Sequence, residues 1–478
     1  MLLSILTLSA TIFLIIIIII RSSTTIRRSR LPLGNLGWPF IGETIHFISS
    51  AYSDHPESFM EKRRLLYGNV FMSHLFGTRT IVSTDAEVNK VVLQSEHKAF
   101  VPFYPKSLTE LMGNSSILLI NGTLHRRIHG LIGSFFKSSN VRAQITTHME
   151  KLIKQSISTW SDGQLLYIQD QAKQITFQVL VRTLIGLDPG EEMEFLRKQF
   201  QEFIAGLMSL PVKFPGSRLY KSLKAKKKMV EMLHEIIKVK RSRRKEEVVV
   251  PGDIMDVFLS DQLLISDEMI ADNMIDFMIP GEDSVPLLIT LAIKYLSDCP
   301  TALQQLKEEN MKLKRSKEEA GEPLCWTDYL SLRFTQMVIC ETLRMGNIIV
   351  GVMRKATRDV EIKGYLIPKG CCVFTYFRSV HLDHTHYHSP YRFNPWRWQD
   401  HKDISNANIS FTPFGAGQRL CPGLDLARLE TSIFLYHFVT QFRWVAEADS
   451  IVNFPTVRMK RRMPVLVTRR DPAQDLDK

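Results

Sequence analysis

The chain has 478 residues, 45% hydrophobic and 23% charged, with 61 basic against 49 acidic side chains for a net charge of +12. These values exclude a disordered or collagen-like polymer and allow a sizeable buried core. Six cysteines without regular spacing exclude a disulfide framework and fit a reducing compartment.

Met1 to Ile20 carries no charged side chain and closes on six isoleucines, Ile15 to Ile20. As one helix rising ~1.5 Å per residue it matches a bilayer core of ~30 Å. Arg21, Arg27, Arg28 and Arg30 follow it, so the positive-inside rule puts the rest of the chain in the cytosol. The expected organisation is a transmembrane anchor at 1–20, a basic and Pro/Gly-rich linker at 21–42, and one catalytic domain at 43–478. Pro32, Gly34, Gly37, Pro39 and Gly42 prevent a helix in the linker.

From Glu43 to Val250 most segments have the apolar spacing of amphipathic helices, as in "SFMEKRRLLYG" and "MVEMLHEIIKVK", with a strand-like piece at "TRTIVST". The basic runs Lys224 to Lys228 and Lys238 to Lys245 lie in such a helix and read as its solvated face, so nucleic acid is not an expected partner. A long apolar segment begins near Ser266, a good helix cap, and meets "PGEDSVP" at Pro280 to Pro286. Neither proline can donate to the carbonyl four residues back, so the helix is expected to open between them and to leave room for a ligand.

"ETLR" places Glu341 and Arg344 on one helical face. From Asp359 the texture changes to β-branched and aromatic residues around Gly364 and Pro368, as short strands with turns have. His381, His384, His386 and His388 read as a polar connector ahead of "SPYRFNPWRW". After the glycine loop a final helix is expected from about Leu424, then a hairpin at "NFPTVRMKRRMPVLVT".

The loop "FTPFGAGQRLCPG", Phe411 to Gly423, poses the chemical question. No further Cys or His lies close enough to Cys421 for a zinc knuckle. Leu420 stands where a dinucleotide loop needs its third glycine. A cysteine hydrolase with a distant histidine stays open, as does a merely structural cysteine. A lone thiolate also suits a haem iron held from one side, with Arg419 facing a propionate.

Here the chain resembles the cytochrome P450 superfamily: Phe414, Gly415, Arg419, Cys421 and Gly423 match its cysteine loop at every fixed position. The resemblance implies a mainly α fold with small β-sheets and haem b (iron protoporphyrin IX) ligated by Cys421. By family position Glu341 and Arg344 join Arg392 as a structural brace. Asp283 and Ser284 are the acid and alcohol that deliver protons, with Ser in place of the usual Thr and Pro280 in place of Ala or Gly. His125, Arg126 and His129 in "GTLHRRIHG", and Arg354 in "GVMRKA", are the expected propionate partners. The family activates O2 to hydroxylate an unactivated carbon. The chain has no flavin or nicotinamide motif, so electrons are expected from NADPH through a cytochrome P450 reductase drawn to basic residues such as Arg419 and Arg428.

Within the superfamily, "GWPFIGET", "AFVPFYPKS" and "MIPGEDSVP" are most similar to plant steroid hydroxylases of brassinosteroid synthesis, the C-23 type above all. That implies a steroid pocket containing Val101, Phe103, Tyr104, Met278, Ile349, Val350 and Phe454. The alternatives are a C-22 steroid hydroxylase, an oxidase of gibberellin precursors or abscisic acid, and, in another class, a haem-based sensor. Single-pass attachment to the endoplasmic reticulum membrane completes the expectation.

Overall fold

Buried residues fill the strands Val70–Leu75 and Thr78–Ser83, which pair antiparallel from Val70 opposite Ser83 to Leu75 opposite Thr78. Phe76 and Gly77 make the tight turn, both with positive φ. In the computed structural model the described residues are 30–471 apart from 54, 96–97, 208, 247–249, 261–264, 401–408 and 455. They group into two compact units interleaved along the chain.

The first unit draws on Met1–Phe103, Ile349–His388 and Asn408–Leu420. Cys372–Tyr376 joins the hairpin in parallel beside Thr78–Ser83, Gly351–Ala356 follows antiparallel, and Phe100–Pro102 closes the edge. Val70, Ile81, Val92, Phe100, Ala356 and Val373 form its core together with the short hairpin of Val360–Ile362 and Tyr365–Ile367. The end of the Pro/Gly linker belongs here: Met72 N–H donates to Leu33 O at 2.8 Å and Asn35 N–H to Met72 O at 3.2 Å.

The second unit comprises Tyr104–Ile348, Ser389–Ala407 and Cys421–Lys478, and is mainly helical. Asp267–Asp283 and Val285–Asp298 run through its centre and pack on Ile168–Ile185. Val285–Asp298 also meets the bracing helix Arg333–Gly346 and the C-terminal helix Leu424–Gln441. The last helix is buried on nearly every side, as a helix at the centre of a large fold must be. The segment Arg218–Glu246 is one long helix, buried along a single stripe that includes Leu219, Met229, Leu233 and Ile237.

The chain's end does not make the expected hairpin. Arg458–Met459 pairs with Ile451–Val452, while Pro464–Arg469 pairs with Phe442–Ala446 and Leu165–Tyr167. The apolar alternation was there to read, but the choice of strand partner is set by distant segments. Among the described residues no helix is long and apolar enough to cross a membrane. The expected anchor, Met1 to Ile20, lies outside the described residues.

Candidate functional site

The cysteine loop begins in the first unit, where a 3-10 turn, Gly417–Arg419, follows Phe411–Ala416. Gly417 has φ 71°, and a Cβ there would come 2.5 Å from the Leu93 carbonyl oxygen, so only glycine fits between the loop and the Ala86–Gln94 helix. The loop is held at its base by His381: the Thr412 N–H donates to its Nε2 at 3.0 Å. That imidazole is fully buried between the rings of Phe377 and Phe411. The Tyr387 hydroxyl adds a bond to Ser410 O at 3.0 Å. His381 therefore has a structural duty that its place in a histidine-rich connector concealed. The signal that would have found it is its position directly after the strand Cys372–Tyr376, at the end of the short buried helix Phe377–His381.

Phe414, Gly415 and Arg419 are half-buried in this loop. Arg354, in the strand Gly351–Ala356 of the same unit, is 4% exposed and donates from Nη1 to Met353 O at 3.1 Å. A guanidinium taken this far out of water suits a carboxylate partner such as a haem propionate.

Cys421 opens the second unit's share. Burial pushes its thiol above the usual range, while the Gly423 N–H directed at the sulfur pulls the other way. The protein alone therefore favours the thiol, and a bound metal cation would be needed to draw the proton off. A single half-buried sulfur with a backbone N–H beside it, set just ahead of the helix Leu424–Gln441, fits a haem iron ligated from one side. On the helix Gly122–Lys137, His125 is buried and its ring lies 5.6 Å from that of His129, so these two share a face. Arg126 is exposed and donates to Thr123 Oγ1 at 3.4 Å, because one residue along a helix is about 100° round it. It does not share the histidines' face. Arg428 is half-buried and donates to Cys340 Sγ at 3.7 Å, which points its guanidinium inward.

The expected helix opening takes a particular form. Ser266 caps the helix as read, accepting the Met269 N–H at 3.2 Å. Pro280 stays within the helix, and the break comes at Ser284, between Asp283 and Val285. Pro286 sits in the first turn of the next helix, where its missing N–H costs nothing. The Gly281 carbonyl is met by the Thr176 hydroxyl at 2.5 Å. Lys173 reaches Glu282 Oε1 at 2.9 Å and Asp283 Oδ1 at 3.7 Å. Burial raises the Asp283 carboxyl above its ordinary value, and Lys173 works against that shift.

The brace is present with one correction. Glu341 and Arg344 are fully buried and paired through Nε to Oε2 at 2.9 Å and Nη2 to Oε1 at 2.8 Å. The arginine that joins them from the proline-rich segment is Arg397, whose Nε lies 3.0 Å from Glu341 Oε1. The expected Arg392 is exposed instead. The reason is the 3-10 turn Pro395–Trp398, which rotates Arg397 inward and brings Trp398 Nε1 to Glu341 Oε2 at 3.0 Å. The Asn394 N–H completes the set at 3.0 Å from Oε1.

The expected pocket residues divide between the units. Val101, Phe103 and Val350 are half-buried and Ile349 exposed in the first. In the second, Met278 is fully buried on the Asp267–Asp283 helix, while Tyr104 and Phe454 are half-buried.

Comparison with known proteins agrees with this chemistry. The family model described as Cytochrome P450 matches residues 32–468. Cytochrome P450 90D2 of Oryza sativa subsp. japonica is 63% identical, covering 93% of this chain and 90% of its own length. The 3-epi-6-deoxocathasterone 23-monooxygenase CYP90D1 of Arabidopsis thaliana is 62% identical, covering 92% and 90%. Among solved structures, the retinoic acid bound cyanobacterial CYP120A1 superposes with a TM-score of 0.81 at 23% identity, covering 92% of this chain and all of the other, which shows the fold.

Proposed function

The chain belongs to the cytochrome P450 family and is a haem monooxygenase, and from that premise we propose that it hydroxylates a brassinosteroid precursor at C-23. The observation that carries the reading is the 62% identity, over nearly the whole chain, to an enzyme named for that reaction. The haem, held by Cys421, supplies the activation of O2 when bound.

The chain's own residues do the rest. His125, His129, Arg354 and Arg419 are the groups available to the propionates. Asp283, whose carboxyl burial raises above its ordinary value, is the acid that can pass a proton at the helix break, and the Ser284 hydroxyl is the next group in the relay. Lys173 opposes that rise. Glu341, Arg344 and Arg397 lock the bracing helix to the proline-rich segment.

The electron source in this reading is NADPH through a cytochrome P450 reductase, and the apolar Met1 to Ile20 anchors the chain in the endoplasmic reticulum membrane with its catalytic part in the cytosol.

The test is reconstitution of the full chain with reductase and NADPH on 22-hydroxylated steroids, with products identified by mass spectrometry and NMR. Hydroxylation at C-23 is expected; oxidation at another carbon overturns the regiochemistry. Cys421→Ala should abolish the reduced, carbon monoxide-bound absorption band of a thiolate haem, whereas Cys371→Ala and Cys372→Ala should keep it.

A further inference from the structure

Asp276 lies on the helix Asp267–Asp283, one turn before Pro280, in the apolar run "MIDFMIP". It is 5% exposed, and neither carboxyl oxygen has a hydrogen-bond partner among the described residues. Its own main-chain carbonyl is equally unused at the position four residues on, because Pro280 has no N–H to offer.

The surroundings make this exceptional. Asp272, one turn earlier, is answered by Lys226 at 2.6 Å, and Lys226 also donates to Met112 O at 2.9 Å. Asn273 is matched on both sides of its amide: Oδ1 accepts the Ile117 N–H at 2.9 Å, and Nδ2 donates to Ser115 O at 2.9 Å and Met269 O at 2.8 Å. These bonds tie the segment 113–121 against the helix. The Ser116 hydroxyl in that segment is the polar group beside Asp276 and works to lower its carboxyl, but it makes no well-formed hydrogen bond to either oxygen; it accepts the Leu118 N–H at 3.2 Å. Asp272 and Asn273 are thus satisfied by protein, and Asp276 is not.

Helix geometry says where the carboxyl is available. Asp276 and Asp283 are seven residues apart, two turns on the same side and ~10 Å along the axis. A ligand whose reacting carbon lies at the Asp283–Ser284 end and whose body follows the helix would bring its far part to Asp276. Burying a carboxyl group without a partner destabilises a fold and is kept only where something else uses it.

We propose that Asp276 is a specificity-determining residue, its carboxyl group hydrogen-bonding an oxygen substituent on the ring system of the bound steroid. The inference rests on the steroid reading given above and adds the recognising group to it. Burial raises the Asp276 carboxyl to about 8, with Ser116 and Lys226 lowering it and Asp272 raising it. The group is thus a neutral acid at pH 7, able both to donate and to accept, which suits a hydroxyl or a ketone and not an ammonium.

The experiment compares wild type, Asp276→Asn and Asp276→Leu as full-length holoenzymes, each first shown to be folded by its reduced carbon monoxide spectrum. Dissociation constants are measured by equilibrium dialysis for labelled 22-hydroxysteroids that differ only in the ring oxygen: 3-hydroxy, 3-oxo, 6-oxo and a deoxy reference. Wild type and Asp276→Asn should prefer one oxygenated steroid over the deoxy reference by about tenfold or more. In Asp276→Leu that preference should collapse through weaker binding of the oxygenated member, with the deoxy reference held as well or better. An unchanged preference in Asp276→Leu for every steroid overturns the inference while C-23 hydroxylation by wild type still stands. Asp276-dependent discrimination without C-23 product leaves the inference standing and sinks the reaction assignment. Failure of wild type to bind any of the steroids overturns both.

Discussion

Two helices of the second unit bury carboxyl groups in opposite ways. On the bracing helix, Glu341 is met by Arg344, Arg397, Trp398 and the Asn394 N–H, all at 2.8–3.0 Å. On the helix Asp267–Asp283, neither oxygen of Asp276 has a hydrogen-bond partner among the described residues, and Glu282 is met by Lys173 at one oxygen while its Oε2 has none among them. The depth of burial is alike, so partners make the difference. A carboxylate held by two guanidiniums is locked in place, and it serves rigidity. A carboxyl group left without partners is driven toward its neutral form and stays available to a ligand or a proton.

The comparison is broken most severely at Glu341. Glu341→Ala would leave Arg344 and Arg397 buried opposite no charge, a loss of about 3–5 kcal/mol. Little or no folded haem protein is expected, read from the carbon monoxide difference spectrum and from thermal denaturation. Arg397→Ala should fall in the same direction, and Arg392→Ala, at an exposed position, should denature within a few degrees of wild type. Equal losses in the two arginine variants would return the brace to Arg392.

That contrast also marks what the sequence could and could not convey. The cysteine loop was legible because its glycines and arginine stand at fixed intervals around Cys421, and Glu341 with Arg344 because helical periodicity puts them on one face. The third arginine was not legible. "PYRFNPWRW" has no period, and only the 3-10 turn Pro395–Trp398 decides that Arg397 turns inward while Arg392 does not. His381 was hidden likewise among three neighbouring histidines, and only the folded chain shows that it is the one that accepts the Thr412 N–H. Asp276 was visible as a lone acid in an apolar run, but its lack of partners is a property of the packed structure. The prolines of "PGEDSVP" did signal an interruption, and its place at Ser284 depended on Pro286 being accepted in the first turn of the next helix.

The next effect in size tests the available acids. Asp283→Asn preserves shape but removes the exchangeable proton, so product formation should slow about a hundredfold while NADPH oxidation continues and releases peroxide or water. Substrate binding, followed by equilibrium dialysis, should be unchanged within a few fold. Ser284→Ala should show the same loss of product per NADPH to a smaller extent, since a water molecule can take the hydroxyl's place. If both variants keep wild-type coupling, the unmatched acids of this helix are not a proton path and its contrast with the brace loses its functional meaning.

The smallest expected effect is the most diagnostic, because it alters the partner and leaves the acids in place. Lys173 is the cation shared by Glu282 and Asp283, and in each it opposes a rise caused chiefly by burial, with Arg197 adding a weaker pull on Glu282 and Arg458 on Asp283. Lys173→Met removes that opposition, so both carboxyl groups should rise further. A carboxyl whose folded-state value is raised contributes stability that is fully present below its unfolded value and is lost as pH rises through the folded one. Lowering the pH below the ordinary carboxyl values of about 4 leaves neither acid to ionise in either protein and should bring the two melting temperatures together. As pH rises toward 8 the variant must ionise two buried acids without their cation, and its melting temperature should fall progressively below wild type. Lys173 is partly exposed, so solvent screening limits the difference to about 1 kcal/mol. The alkaline limb of the pH–rate profile should move to higher pH, since the acid that must stay protonated now holds its proton longer. A melting difference that does not change with pH would mean Lys173 acts through packing alone, and that the acids at the helix break are no more responsive to their partners than Glu341 is.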